Sequence, residues 1–143
     1  MTLIPGDPLA HRALESLLRA ESSVRRRLSS DLEREGISTT GFTVLIVLAT
    51  AVGELALRTL RQRLRTSKAN ATEVVTTLEA RGYVTRARLP TDRRAASVTL
   101  TLRGREVVDR LFPEHTERVT DAFSVLDEDE KRSLAQICRK LAA

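Results

Sequence analysis

A chain of 143 residues, 41% apolar and 30% charged, is long enough for one domain or two interleaved lobes around a buried core, and it is too apolar to be disordered. A lone cysteine, Cys138, excludes an intramolecular disulfide and a thiolate-rich metal site, and His11 and His115 lie too far apart to suggest a His/Cys zinc centre. Net charge is +5, yet the stretch from Arg58 to Arg105 alone holds 12 basic and 3 acidic residues. A positive field confined to the middle third points to a polyanion partner. Arg supplies 21 of the 24 basic residues. That suits bidentate phosphate and base contacts, although a GC-rich genome would raise Arg as well.

The N-terminus, Met1 to Asp7, has no basic stretch before an apolar one, so no secretory signal is expected. The first helix is predicted from Pro8 to Glu35, with Leu14, Leu17, Leu18, Val24, Leu28 and Leu32 at helical spacing and Gly36 as its stop. About 28 residues make a rod of roughly 40 Å, longer than a small core needs, so part of it is expected to pack on another chain.

Ser38 is the N-cap of a second helix, Thr39 to Ala51, apolar nearly all round. Its longest apolar run, Val44 to Ala49, is too short to span a bilayer. β-Branched content makes a strand the alternative there, and length favours the helix. Leu55 to Leu57 reads as a short strand, followed by a helix from Arg58 to Leu64 with its arginines mostly outward. Ser67 caps the next helix, Lys68 to Arg81, whose stripe Ala71, Val74, Val75 and Leu78 is amphipathic, and Gly82 ends it.

Tyr83 to Arg88 and Ala96 to Thr101 alternate as two strands around a basic loop from Leu89 to Ala95, which reads as a hairpin with a long exposed tip. A helix follows from Arg103 to about Thr120, with Pro113 expected to kink or interrupt it unless neighbours compensate. The last helix starts at Asp127 with Glu130 completing a capping box, and Leu134, Ile137, Cys138 and Leu141 form its apolar face.

Helix, tight turn, helix and hairpin in this order are a winged helix-turn-helix, in a mainly α chain of six helices. The second helix of such a pair enters the major groove, which is about 12 Å wide. With the stripe turned inward, Lys68, Ala69, Asn70, Thr72, Glu73 and Thr76 face the groove. Asn70 has the chemistry to pair with adenine and Glu73 to accept from cytosine; Thr72 and Thr76 suit thymine methyls or phosphates. Ala69 permits close approach, and the N–H groups near Ser67 and Lys68 suit a phosphate. In the hairpin, Arg88, Arg93 and Arg94 suit a narrow minor groove, with Asp92 placed to aim Arg94. Taken singly, each of these is also what a solvated surface looks like; taken together they form one basic face.

These residues resemble the multiple antibiotic resistance regulator (MarR) family of bacterial transcription factors over nearly the whole chain. Ser67, Ala71-Thr72, Val74-Val75, Leu78-Glu79 and Arg81 to Val84 follow its recognition-helix pattern; Asp92, Arg94, Val98, Leu100-Thr101 and Gly104 follow its wing signature. The resemblance implies an intertwined homodimer on a pseudo-palindromic operator in double-stranded DNA. Arg94 would reach the minor groove with Asp92 supporting it. The protein would be a cytoplasmic repressor, released by a small phenolic or aromatic effector. Residues 1–35 and 106–143 would dimerise, through Leu9, Leu14, Leu17, Leu134, Ile137 and Leu141, and residues 36–105 would bind DNA.

Three departures stand out. Thr66 replaces a branched apolar residue in the turn. Gly41 replaces a larger one near the expected cleft, where Phe42 is the candidate effector contact. The first helix lacks the family's peroxide-sensing cysteine, and Cys138 reads as a small buried hydrophobe.

An enzyme is not expected: there is no nucleophile motif around either histidine, no phosphate loop and no paired carboxylates, and neither metal nor cofactor is implied. The acidic run Asp127 to Glu130 reads as a helix start. A protein-interaction module on the same scaffold is the alternative. RNA binding is weaker, because aromatic platforms are scarce.

Overall fold

The computed structural model describes the chain except Met1, Pro5, Pro90 and Thr91; side chains of residues 89–94 are likewise outside the described set. Its elements are α1 (Pro8–Arg34), α2 (Thr39–Thr50), β1 (Leu55–Ala56), α3 (Leu57–Leu64), α4 (Lys68–Ala80), β2 (Val84–Leu89), β3 (Asp92–Leu100), α5 (Leu102–Ala122) and α6 (Glu128–Ala142).

Local chemistry sets the boundaries. Asp7 accepts from the N–H groups of Leu9 and Ala10 at the start of α1, with Pro8 in the first turn. Gly36, at φ +66°, ends that helix, and the Ile37 N–H reaches back to the Leu32 carbonyl at 3.0 Å. Ser38 caps α2 through the Gly41 N–H. The capping box of Asp127 and Glu130 opens α6 as expected.

α2 is the hub. Phe42, Val44, Leu45 and Leu48 are buried against Leu60 of α3, Val75 and Leu78 of α4, Val98 of β3, and Val107 and Val108 of α5. The strand alternative for this segment is thereby excluded. β1 pairs antiparallel with β3, and β3 with β2, giving the sheet order β1-β3-β2. Buried residues run from Leu28 to Ala122, so the end of α1 and the first half of α5 join the core; α6 buries none.

The structure corrects three expectations. The segment from Leu89 to Ala95 is not one loop: Leu89 belongs to β2 and β3 begins at Asp92. The ladder slips between Arg88, opposite Ala96, and Leu89, opposite Asp92, and this bulge breaks the alternation that marks a strand in sequence.

Pro113 does not interrupt α5. The proline is exposed, and α1 grips the helix on both sides of it. Arg110 pairs with Glu35 at 2.7 Å, and Arg118 pairs with Asp31 at 2.7 Å and donates to Ser30 at 2.8 Å.

Cys138 is exposed rather than buried, because the described residues leave the apolar face of α6 largely open. Gly41 lies in the first turn of α2. It is buried, and a Cβ there would already meet Ser38 Oγ at 3.2 Å and Leu78 Cδ2 at 3.5 Å.

Candidate nucleic-acid interface

α3 and α4 are joined by Arg65, Thr66 and Ser67. Arg65 adopts the left-handed conformation, φ 51° and ψ 45°, that a tight turn needs and a side chain resists. The Thr66 N–H returns to the Arg61 carbonyl, and the Ser67 hydroxyl accepts from the Asn70 N–H at 3.1 Å. Thr66 is half-buried, so the departure at this position still closes the turn.

Ala71, Val75 and Leu78 face the core with Val74 at its edge. The opposite side of α4 exposes Lys68, Ala69, Asn70, Glu73 and Thr76, with Thr72 half-buried at the flank. The Thr76 hydroxyl donates to the Thr72 carbonyl at 2.8 Å, which leaves its methyl and lone pairs for a partner. Thr77 joins this exposed face, its hydroxyl donating to the Glu73 carbonyl. The inward stripe alone does not mark it, because Thr77 sits at the edge between the two sides.

Four arginines of α3 and its turn complete the face. Arg58, Arg63 and Arg65 are exposed and Arg61 half-exposed, and with Lys68 they make no ion pair among the described residues. The excess of Arg over Lys marks them in sequence; their place on the helix packed against α4 is set by the fold.

The hairpin is closed at its base and tied to α4 on its first strand. At the base, the Thr101 hydroxyl donates to the Gly82 carbonyl at 2.6 Å and accepts from the Gly104 N–H at 3.0 Å. A Cβ on Gly104 would lie 2.2 Å from the Tyr83 carbonyl oxygen, so the approach requires glycine. Tyr83 is buried, donates its hydroxyl to the Glu35 carbonyl at 3.0 Å, and carries the Arg103 guanidinium 5.3 Å from its ring centroid. On β2, Glu79 binds Arg86, whose backbone N–H and guanidinium hold the carboxyl below its ordinary range. Arg88 is exposed on the same strand. Asp92, Arg93 and Arg94 lie in β3, and the pairing of Asp92 with Arg94 falls outside the described residues.

Phe42 does not line a cleft in this chain. It is fully buried and meets His115 edge-on at 4.8 Å between ring centroids, because its face of α2 turns toward α5. A hollow of about 550 Å³ lies nearby between α1 and the start of α2, with Val24, Leu28, Ile37 and Thr39 on its walls and the Glu21–Arg25 ion pair at its side.

The expected dimer residues Leu9, Leu14, Leu17, Leu134, Ile137 and Leu141 are all exposed, from 38% for Leu134 to 69% for Leu141. A second hollow of about 530 Å³ opens between α5 and α6 beside Phe123, Leu134 and Cys138. No helix of the described residues is long and apolar enough to cross a membrane, and no group of three or more His, Cys, Asp or Glu among them could hold a metal ion.

The MarR family model matches residues 35–95. The chain is 34% identical over 122 residues to the uncharacterized HTH-type transcriptional regulator YkoM of Bacillus subtilis, covering 85% of this chain and 79% of that one. It is 30% identical over 125 residues to the transcriptional repressor MprA of Escherichia coli K12, covering 87% and 71%. The fold is similar to Sco3205, a MarR family transcriptional regulator from Streptomyces coelicolor solved in complex with DNA. There the TM-score is 0.81 at 26% identity, over 99% of this chain and 90% of the other.

Proposed function

Because the chain belongs to the MarR family of transcriptional regulators, we propose that it acts as a cytoplasmic homodimeric repressor which grips a pseudo-palindromic operator and performs no covalent chemistry. The observations that carry this reading are the exposed polar side of α4, the arginines of α3 that make no ion pair among the described residues, and the hairpin that follows α4. The similarity to a regulator solved on DNA supports it.

Asn70, Glu73, Thr72, Thr76 and Ala69 read base edges in the major groove, while Ser67 and Lys68 meet phosphate at the start of α4. Arg94, aimed by Asp92, enters the minor groove, and Arg88 and Arg93 hold its walls. The uncovered leucines of α1 and α6 close the dimer from residues 1–35 and 106–143, leaving residues 36–105 on the DNA. A small aromatic or phenolic effector acts by favouring a different spread of the two halves. The polar, basic character of the exposed face argues against a protein-interaction module.

Selection of duplexes from random DNA by the purified protein tests this. The expected outcome is an inverted repeat with half-sites about 10 bp apart, released by some members of a phenolic panel. Recovery of no motif overturns the reading.

A further inference from the structure

Glu79 lies on the last turns of α4, outside the positions assigned to DNA. Its carboxylate takes three bonds from one residue of the hairpin. The Arg86 backbone N–H donates to Oε2 at 2.9 Å, and Arg86 Nε and Nη2 donate to Oε1 at 3.2 and 3.0 Å. One acidic side chain thus holds both the main chain and the side chain of β2. The main-chain bond to Oε2 locates the strand, and the two guanidinium donors converge on Oε1, so both oxygens are engaged by one residue.

Arg86 also lies opposite Val98 of β3, the strand that continues back to Asp92. Thr101 to Gly82 closes the hairpin base beyond the end of α4, and the core holds Val84, Val98 and the pairing of β3 with β1. Glu79 adds a tie farther out: Gly82 and Arg86 are four residues apart, roughly 13 Å of extended chain. That tie joins β2 to a side chain of α4 and so couples the hairpin's direction to the helix.

We propose that Glu79 and Arg86 are a positioning pair that sets the angle between the recognition helix and the wing, so that both enter neighbouring grooves of one duplex together and the wing's preference for flanking base pairs is expressed. This inference rests on the DNA-binding reading above.

Simple electrostatics predicts the opposite sign for the decisive variant. Removing a carboxylate near phosphates weakens repulsion and tightens binding. Loss of the wing angle weakens it.

The probe is the duplex selected by the wild-type protein, together with a copy whose flanking A·T and G·C pairs are exchanged; the exchange adds or removes an amino group in the minor groove. Wild type is expected to bind the exchanged copy about tenfold more weakly. Glu79→Ala is expected to bind the parent duplex about tenfold more weakly than wild type does, and to bind both duplexes alike. Arg86→Met behaves the same way, and the double variant loses no more than either single one. Glu79→Gln, which keeps an oxygen for the Arg86 N–H, retains part of the flank preference.

Binding by Glu79→Ala that is unchanged or tighter, or that keeps the wild-type flank ratio, overturns the inference. If Glu79→Ala fails to fold, Glu79→Gln and Arg86→Met make the same comparison, and full flank preference in both overturns it. A wild-type protein that selects a site but ignores its flanks defeats the positioning role alone. One that selects nothing defeats the DNA-binding reading instead.

Discussion

At Gly104 a methyl group has nowhere to go: the Tyr83 carbonyl oxygen would stand 2.2 Å from it and Leu100 Cδ1 2.7 Å. Backbone cannot yield as a side chain can. Gly104→Ala should therefore lower stability by about 2 kcal/mol or more, read as a drop in thermal midpoint at fixed protein concentration. His115 makes a second residue-scale prediction. Burial, then the nearby Arg118, lowers its pKa from an ordinary 6.5, and its Nδ1 is buried without a hydrogen-bond partner among the described residues. The folded state thus prefers neutral imidazole, and the unfolded state takes up the proton first. The contribution of His115 is fully present above about pH 6.5 and is lost as pH falls through the lowered folded value. Thermal midpoints measured from pH 7.5 down to 5 should show this decline, and His115→Gln should flatten it. An unchanged slope in that variant would assign the decline to other groups.

Single elements carry strains that their neighbours absorb. α5 runs through Pro113 while the two arginine contacts to α1 straddle it. The lost N–H and the ring clash are still there, on an exposed face. Pro113→Ala should raise stability by about 1–2 kcal/mol, because the helical gain exceeds the entropy that proline removes from the unfolded chain. An unchanged midpoint would mean that α1 already offsets the whole cost. In the hairpin, Arg94→Ala should weaken operator binding by roughly 1–3 kcal/mol while sedimentation still reports a dimer. Equal affinity in that variant would take the hairpin out of the interface.

Taken whole, the molecule is a packed centre with two uncovered arms. α6 buries no residue, and the first two-thirds of α1 exposes Leu9, Leu14 and Leu17. Leucines grouped on helix faces that the described residues leave open mark an interaction surface. Leu134→Asp combined with Leu141→Asp should yield monomers in analytical ultracentrifugation, and operator affinity should fall with dimerisation. The local excess of 12 basic over 3 acidic residues gives a further expectation for the wild type. About 6–10 neutralised phosphates correspond to a log–log salt slope of about −5 to −9, measurable by fluorescence anisotropy. A shallow slope would contradict a phosphate-gripping face.

Periodicity and caps are local properties, so the element order, the stops at Gly36 and Gly82, the caps at Ser38, Ser67 and Asp127, and the outward side of α4 are legible along the chain. The hairpin ladder near Leu89 and Asp92 escaped because a bulge destroys the two-residue alternation. The burial of Phe42, the exposure of Cys138 and the continuity of α5 depend on what lies across from each residue, which no spacing encodes. Tertiary structure alone decided that Glu79 meets Arg86, that Tyr83 reaches Glu35, and that Gly104 must have no side chain, because each is a contact between segments whose separation is fixed only when the chain packs.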